Sequence, residues 1–187
     1  MTPIPAPKNG RLIMPNRTRT ILLTAILALL VAAPIAAAKR TYNYTSTVTS
    51  APVSTSGGYP NPGGSAVMAG TLSTEPFGAG AVIDHVTMTG QPSPNVFTFE
   101  GTEVDLFADG TSGNTFTGTT TIQSDGSQNV VINGRLTPGR NHGRKQVLFG
   151  PGGTGRYKGA TGSYTFHGTI PAGSNVITGS STGTIVF

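Results

Sequence analysis

The sequence predicts an all-β protein: an antiparallel closed β-barrel of about eight strands, with a β-sandwich as the alternative. Three observations point there. Beyond residue 38 no stretch spaces its apolar residues three and four apart over three turns, and Gly or Pro interrupts every candidate helix. Runs rich in Thr, Val, Ile, Phe and Tyr, which fit a pleated, half-buried surface, recur at intervals of roughly ten residues. Between the runs sit Asp109-Gly110, Asp125-Gly126 and Asn133-Gly134, dipeptides that supply positive φ in tight hairpins, so consecutive strands should pair as a meander. Closure removes exposed edges, which a chain with 10% charged residues barely defends.

The elements follow in order. Residues 1–38 read as a signal peptide, with Met14 as an alternative start. Met14-Pro15-Asn16-Arg17-Thr18-Arg19 carries two positive charges, Ile21 to Ala33 is apolar apart from Thr24, and Ala36-Ala37-Ala38 offers small residues to a signal peptidase. The apolar run is shorter than the roughly 20 residues of a membrane span, and Pro34 breaks it. The expected product is therefore secreted or periplasmic, cut near Ala38, with no integral span in the mature chain; retention as an uncleaved anchor is the other reading.

Thr41 to Ser50 is the first strand candidate. Ala51 to Ser65 is the longest stretch without alternation, and its Pro, Gly and Ser mark a loop or crossover. Residues 39–65 thus form an N-terminal strand and loop, and residues 66–187 the barrel body. Within the body the strand candidates are Ala66 to Thr74, Ala81 to Thr89, Val96 to Phe107, Thr115 to Gln123, Asn129 to Leu136 and Gln146 to Phe149. Gly155 to Tyr157 with Ser163 to Thr169, and Asn175 to Phe187, complete the set.

Parity within these runs assigns faces. Val82, Val86 and Met88 share one side with Asp84, which should point inward. There it can serve as general acid or base, or hold a ligand hydroxyl. A strand-end Asp bonded to a backbone N–H is the plainer alternative. His85 lies on the other side with Ile83 and Thr87. Phe97 and Phe99 share a face, but Val104 and Leu106 have the opposite parity. A bulge near Gly101 would reconcile them and leave Glu103 and Asp105 as surface charge.

Composition excludes several classes. With no Cys there is no disulfide framework, thiol catalysis or thiolate zinc site. Loss of the leader removes Lys8, Arg11, Arg17 and Arg19, so the net charge falls from +5 to +1. A nearly neutral mature chain has no long-range attraction for nucleic acid. The basic segment at Arg135, Arg140, His142, Arg144 and Lys145 lacks interleaved aromatics and reads as a solvated turn. Gly150 to Gly155 matches GxGxxG without a following helix, and Gly179 to Gly183 matches GxSxG within the last strand, so neither motif has its structural context. Asp109 to Asn114 lacks the downstream Glu of a calcium loop. His85, His142 and His167 are isolated, and no metal or other cofactor is implied.

One segment is more specific. Gly152, Gly153, Thr154, Gly155, Tyr157, Gly159, Ala160 and Gly162 form a tight glycine turn, an aromatic and a second run of small residues, followed by alternating Ser163 to Gly168. This resembles the GGTGxFxxAxG signature of the allene oxide cyclase and dirigent superfamily, whose fold is a calycin-like eight-stranded barrel. The physical role of the segment is structural: its glycines admit unusual backbone, Tyr157 can plug a barrel end, and Ala160 and Gly162 let strands approach closely.

The resemblance implies an apolar barrel cavity that orients a reactive lipid or phenolic intermediate. It also implies homo-oligomers, since such barrels often assemble through outward apolar positions. The paired cysteines of plant dirigent proteins are absent here. The expected function is an exported barrel binding a small apolar or phenolic ligand, with Phe97, Phe99, Tyr164, Phe166 and His167 as ligand contacts. The alternatives are an isomerase or cyclase using Asp84 with His85 or His167 nearby, and a non-catalytic extracellular module.

Overall fold

A computed structural model describes residues 39–138 and 153–187 of this protein. Eight strands follow one another: β1 Thr41–Ser56, β2 Ser65–Glu75, β3 Gly78–Ser93, β4 Val96–Phe107, β5 Gly110–Ile122, β6 Gln128–Leu136, β7 Thr161–Ile170 and β8 Ile177–Val186. Each pairs antiparallel with the next, and β1 pairs with β8 from Thr41↔Val186 to Ser50↔Ile177, so the sheet closes. The sandwich alternative is thereby discarded. The leader residues 1–38, the basic positions Arg140, His142, Arg144 and Lys145, the strand expected at Gln146 to Phe149, and Gly152 lie outside the described residues.

Alternation at period two builds this wall. Outward positions are dominated by hydroxyls, among them Thr45, Thr47, Thr115, Thr117, Thr182 and Thr184. Inward positions carry Met68, Val86, Met88, Phe99, Phe116, Val130, Phe166 and Ile185. Each fully buried aliphatic or aromatic side chain of this set contributes about 1.5–3 kcal/mol.

Four details differ from the sequence reading. β1 belongs to the barrel, which starts at Thr41 rather than at residue 66, and Lys39–Phe187 is one compact unit. Gly155–Tyr157 is a short 3-10 turn and not a strand, because Gly155 (φ +57) and Gly159 (φ +81) turn the chain back. No bulge occurs at Gly101: Val86↔Gly101 and Gly101↔Phe116 lie in unbroken register.

Asn133-Gly134, the fourth, is not a hairpin turn but part of β6, opposite Thr165 and Tyr164. Gly134 is required there for space. A Cβ at this position would lie 2.1 Å from Cζ of Tyr164, whose ring lies flat on the neighbouring strand. Phe116 over Gly101 and Phe99 over Gly118 repeat the arrangement, so rings fill the interior where glycines leave the wall bare. Gly134→Ala should therefore destabilise the barrel by about 1–3 kcal/mol through overpacking. A lower denaturant midpoint with unchanged slope is the expected reading.

One end of the barrel is sealed by aromatics. Tyr157, 1% exposed, stacks on Phe107 with ring centroids 5.1 Å apart and meets Phe77 edge-on at 5.9 Å. Phe187 and Tyr42 extend the cluster, and Arg156 lies over Phe77 at 5.2 Å while bonding Asp109 at 2.9 Å. The expected plug is thus in place. Its turn is pinned by Thr154, whose backbone N–H donates to the Thr111 carbonyl at 2.8 Å.

Candidate functional site: an acid-lined cavity

The inward faces enclose a cavity of about 170 Å³. An engineered cavity of roughly 150 Å³ accepts benzene, so the space matches a single ring with a small substituent. Strand register orders its lining along the barrel axis. Next to the aromatic plug, neighbouring inward positions carry Asp105 beside Ser112, then Asp84 beside Glu103 beside Asn114. One step further lie Val86, Gly101 and Phe116, and then Met88, Phe99 and Gly118. Tyr59 and Pro60, from the β1–β2 connection that bonds back to Met88, line the far end. The interior therefore carries its acids toward the plug and is mainly apolar toward Tyr59, where Thr120 Oγ1 donates to Gln128 Oε1 at 3.2 Å.

The polar layer is a hydrogen-bonded network. Ser112 Oγ donates to Asp105 Oδ2 at 2.6 Å, and Asn114 Nδ2 donates to Glu103 Oε1 and, at 3.1 Å, to Asp105 Oδ2. From across the barrel, the Tyr164 hydroxyl donates to Glu103 Oε2 at 3.1 Å. The surface that Asp84, Glu103 and Asp105 retain faces the cavity. Among the described residues no Lys, Arg or His lines it.

Three carboxyls in an interior whose described lining holds no cation cannot all ionise, because burial and mutual repulsion both disfavour the charged forms. Burial first, then the charge of Asp105, pushes Asp84 up to about 7 against a hydrogen bond with Glu103. Glu103 is raised well above the carboxylate range by burial, then by Asp105 and Asp84. Asp105 is raised by burial, opposed by its bonds to Ser112, Asn114 and Glu103. Burial and the same acids also raise the phenols of Tyr44 and Tyr164. Near neutrality the layer therefore holds protons that it can donate.

Asp84 points inward as expected, and Phe97, Phe99, Tyr164 and Phe166 line the cavity with it. His85 and His167 do not join them. Both occupy outward positions, His85 opposite Thr102 and His167 opposite Val131, so neither is an acid–base partner of Asp84 or a ligand contact. Their parity within β3 and β7 is the physical reason.

Glu103 and Asp105 face the interior and not solvent, because the bulge expected near Gly101 does not occur. Plain alternation from Phe97 through Gly101 to Phe107 puts both acids inside, on the same side as Phe99. Val104 misled because it is only 9% exposed although it lies on the outward parity. Asn114, Ser112 and Tyr44 went unnoticed. Only the register Glu103↔Asn114 and Asp105↔Ser112, which single-strand patterns do not contain, brings them in.

Among the described residues no group of three or more His, Cys, Asp or Glu is arranged to hold a metal ion. The glycine segment touches the site only through its plug: Tyr157 lines the cavity, Ala160 is 3% exposed, and Gly162 passes β8 so closely that a Cβ would meet the Thr184 carbonyl. Fold and site together define a closed eight-stranded antiparallel barrel with a half-acidic, half-aromatic interior. The chain matches no protein-family profile, no curated protein and no solved structure.

Proposed function

We propose that this chain is an exported barrel that binds one small, largely apolar molecule in its interior, in the manner of the allene oxide cyclase and dirigent superfamily that its glycine segment resembles. The observation that carries this reading is the row Asp84, Glu103 and Asp105 facing an enclosed apolar space. A core built only for stability gains nothing from three buried carboxyls, which usually cost more than apolar residues of similar volume. A ligand with one polar group gives that row a use: the acid layer orients the polar end and Phe99, Phe116 and Phe166 hold the body.

Isomerase or cyclase chemistry is the second reading, favoured by one feature. Asp84, raised to about 7, is poised as a general acid near neutral pH. If the bound molecule is turned over, Asp84→Asn should abolish turnover; unchanged turnover would end this reading. Export is supported by the leader pattern of residues 1–38. N-terminal sequencing of protein collected outside the producing cell should begin at Lys39.

Native mass spectrometry of the full chain produced in an exporting host tests the binding proposal. One bound organic molecule of single-ring size is expected. If the protein carries no such molecule and toluene and p-cresol leave its amide NMR spectrum unchanged, the binding proposal fails.

A further inference from the structure

We infer that the molecule this cavity selects is a small organic amine, its protonated nitrogen seated at Asp84, Glu103 and Asp105 and its single-ring body lying toward Phe99 and Phe116. This rests on the binding proposal above and adds the chemical class of the ligand.

The inventory of donors and acceptors leads to it. Three donors aimed at the acids are engaged: Ser112 Oγ with Asp105, Asn114 Nδ2 with Glu103 and Asp105, and the Tyr164 hydroxyl with Glu103. Of the buried side-chain atoms here without a partner, Asp84 Oδ1 and Asn114 Oδ1 can accept, and the hydroxyls of Thr74 and Tyr157, which also line the cavity, can accept or donate. Asp84 lines the cavity directly. A buried polar atom left unpaired is destabilising, so a ligand that supplies donors removes a standing penalty. A hydrocarbon supplies none, and a carboxylate ligand adds a like charge.

Charge points the same way. Among the described residues the lining holds three carboxyls and no cationic side chain, and an ammonium group carries three donors on one compact charge. The carboxyls do not form a group suited to a metal ion among the described residues, whereas an ammonium needs no convergent coordination sphere. Its ring would meet aromatic walls, where cations are also favoured.

Proton balance gives a signature that neutral ligands lack. An ammonium arriving from solution keeps its protons, and the acid layer gives up a proton to solvent as a carboxyl ionises against the new positive charge. Among the described residues, the titratable groups facing this layer are Tyr44 on β1, Asp84 on β3, Glu103 and Asp105 on β4, Tyr157 on the 3-10 turn, and Tyr164 on β7.

The test is calorimetric titration of the full chain at pH 7 with benzylamine, benzyl alcohol, toluene and benzoate, in two buffers of different ionisation enthalpy. Benzylamine should bind about tenfold or more tighter than benzyl alcohol or toluene, a margin of about 1.4 kcal/mol per tenfold. Its binding should release protons, and benzoate should not bind. Asp84→Asn should weaken benzylamine about tenfold while leaving toluene within about twofold, with circular dichroism confirming the fold. If toluene or benzyl alcohol binds as tightly as benzylamine, or if no proton is released, the amine inference is overturned while the cavity remains a binding site. If none of the four binds and native mass spectrometry finds no bound molecule, both readings fall.

Discussion

Replacing Tyr157 by alanine should lower stability by about 3–5 kcal/mol, the range for truncating a buried large aromatic. Tyr157 is 1% exposed and joins Phe107, Phe77 and Phe187 at the sealed end, so its removal opens a gap that three further rings line. The 3-10 turn that carries it cannot collapse into the gap, because Thr154 ties it to Thr111 and Gly155 packs on Asp109. For a chain of this size the thermal midpoint should fall by about 2–4 °C per kcal/mol. Tyr157→Phe, which keeps the ring, should cost much less. A loss under about 1 kcal/mol for the alanine variant would show that the plug does not bear on the barrel's stability.

Acidification from pH 8 to pH 5 should stabilise this protein, the reverse of the usual response of paired carboxylates. Asp84 titrates near 3.8 when unfolded and near 7 when folded. Between these values the unfolded chain releases a proton that the folded chain retains. Its contribution is fully present below about pH 4 and is lost as pH rises to about 7. Glu103, raised well above the usual carboxylate range by burial, and Asp105, also raised by burial, act in the same direction. The exposed Asp125, lowered by its bonds to Ser127, acts in the opposite sense at the surface. The combined effect is on the order of a few kcal/mol.

Thermal unfolding followed across pH 4 to 8 measures it. Asp84→Asn should flatten the profile between pH 4 and 7 and raise the midpoint at pH 8, since a neutral amide has no ionisation to suppress. A wild-type midpoint that rises with pH over this window would mean that the three acids ionise freely and that the interior is wet.

Strand content, order and the antiparallel meander were legible because they depend on local chemistry. Threonine and branched side chains alternate with a period of two, and Asp109-Gly110 and Asp125-Gly126 turn the chain where they stand. The role of Tyr157 was legible too, since glycines on both sides of an aromatic mark a turn that presents it. Asn133-Gly134 has the same local chemistry as the true turns and became strand. The ring of Tyr164, 30 residues later in the chain, needs the space that Gly134 leaves.

The candidate site divides along the same line. Asp84 could be placed inside because its neighbours in β3 are apolar on that parity. For β4, Phe97 and Phe99 on one parity and Val104 and Leu106 on the other suggest a bulge near Gly101 that would turn both acids to solvent, and only the unbroken register rules it out. Parity within a strand groups side chains into two sets but does not say which set faces in.

The amino-acid order by itself determined which segments extend, where they reverse and which aromatic closes one end, since each follows from contacts among near neighbours in the chain. Only closure of the sheet decided that Asp84, Glu103, Asp105, Asn114 and Tyr164, from four different strands, share one interior. Their meeting depends on interstrand register and on the curvature that brings β7 across from β4, quantities that no single strand contains. The protonation of the acids follows from that meeting, because a carboxyl's affinity for its proton is set by the water and charges around it in the folded barrel.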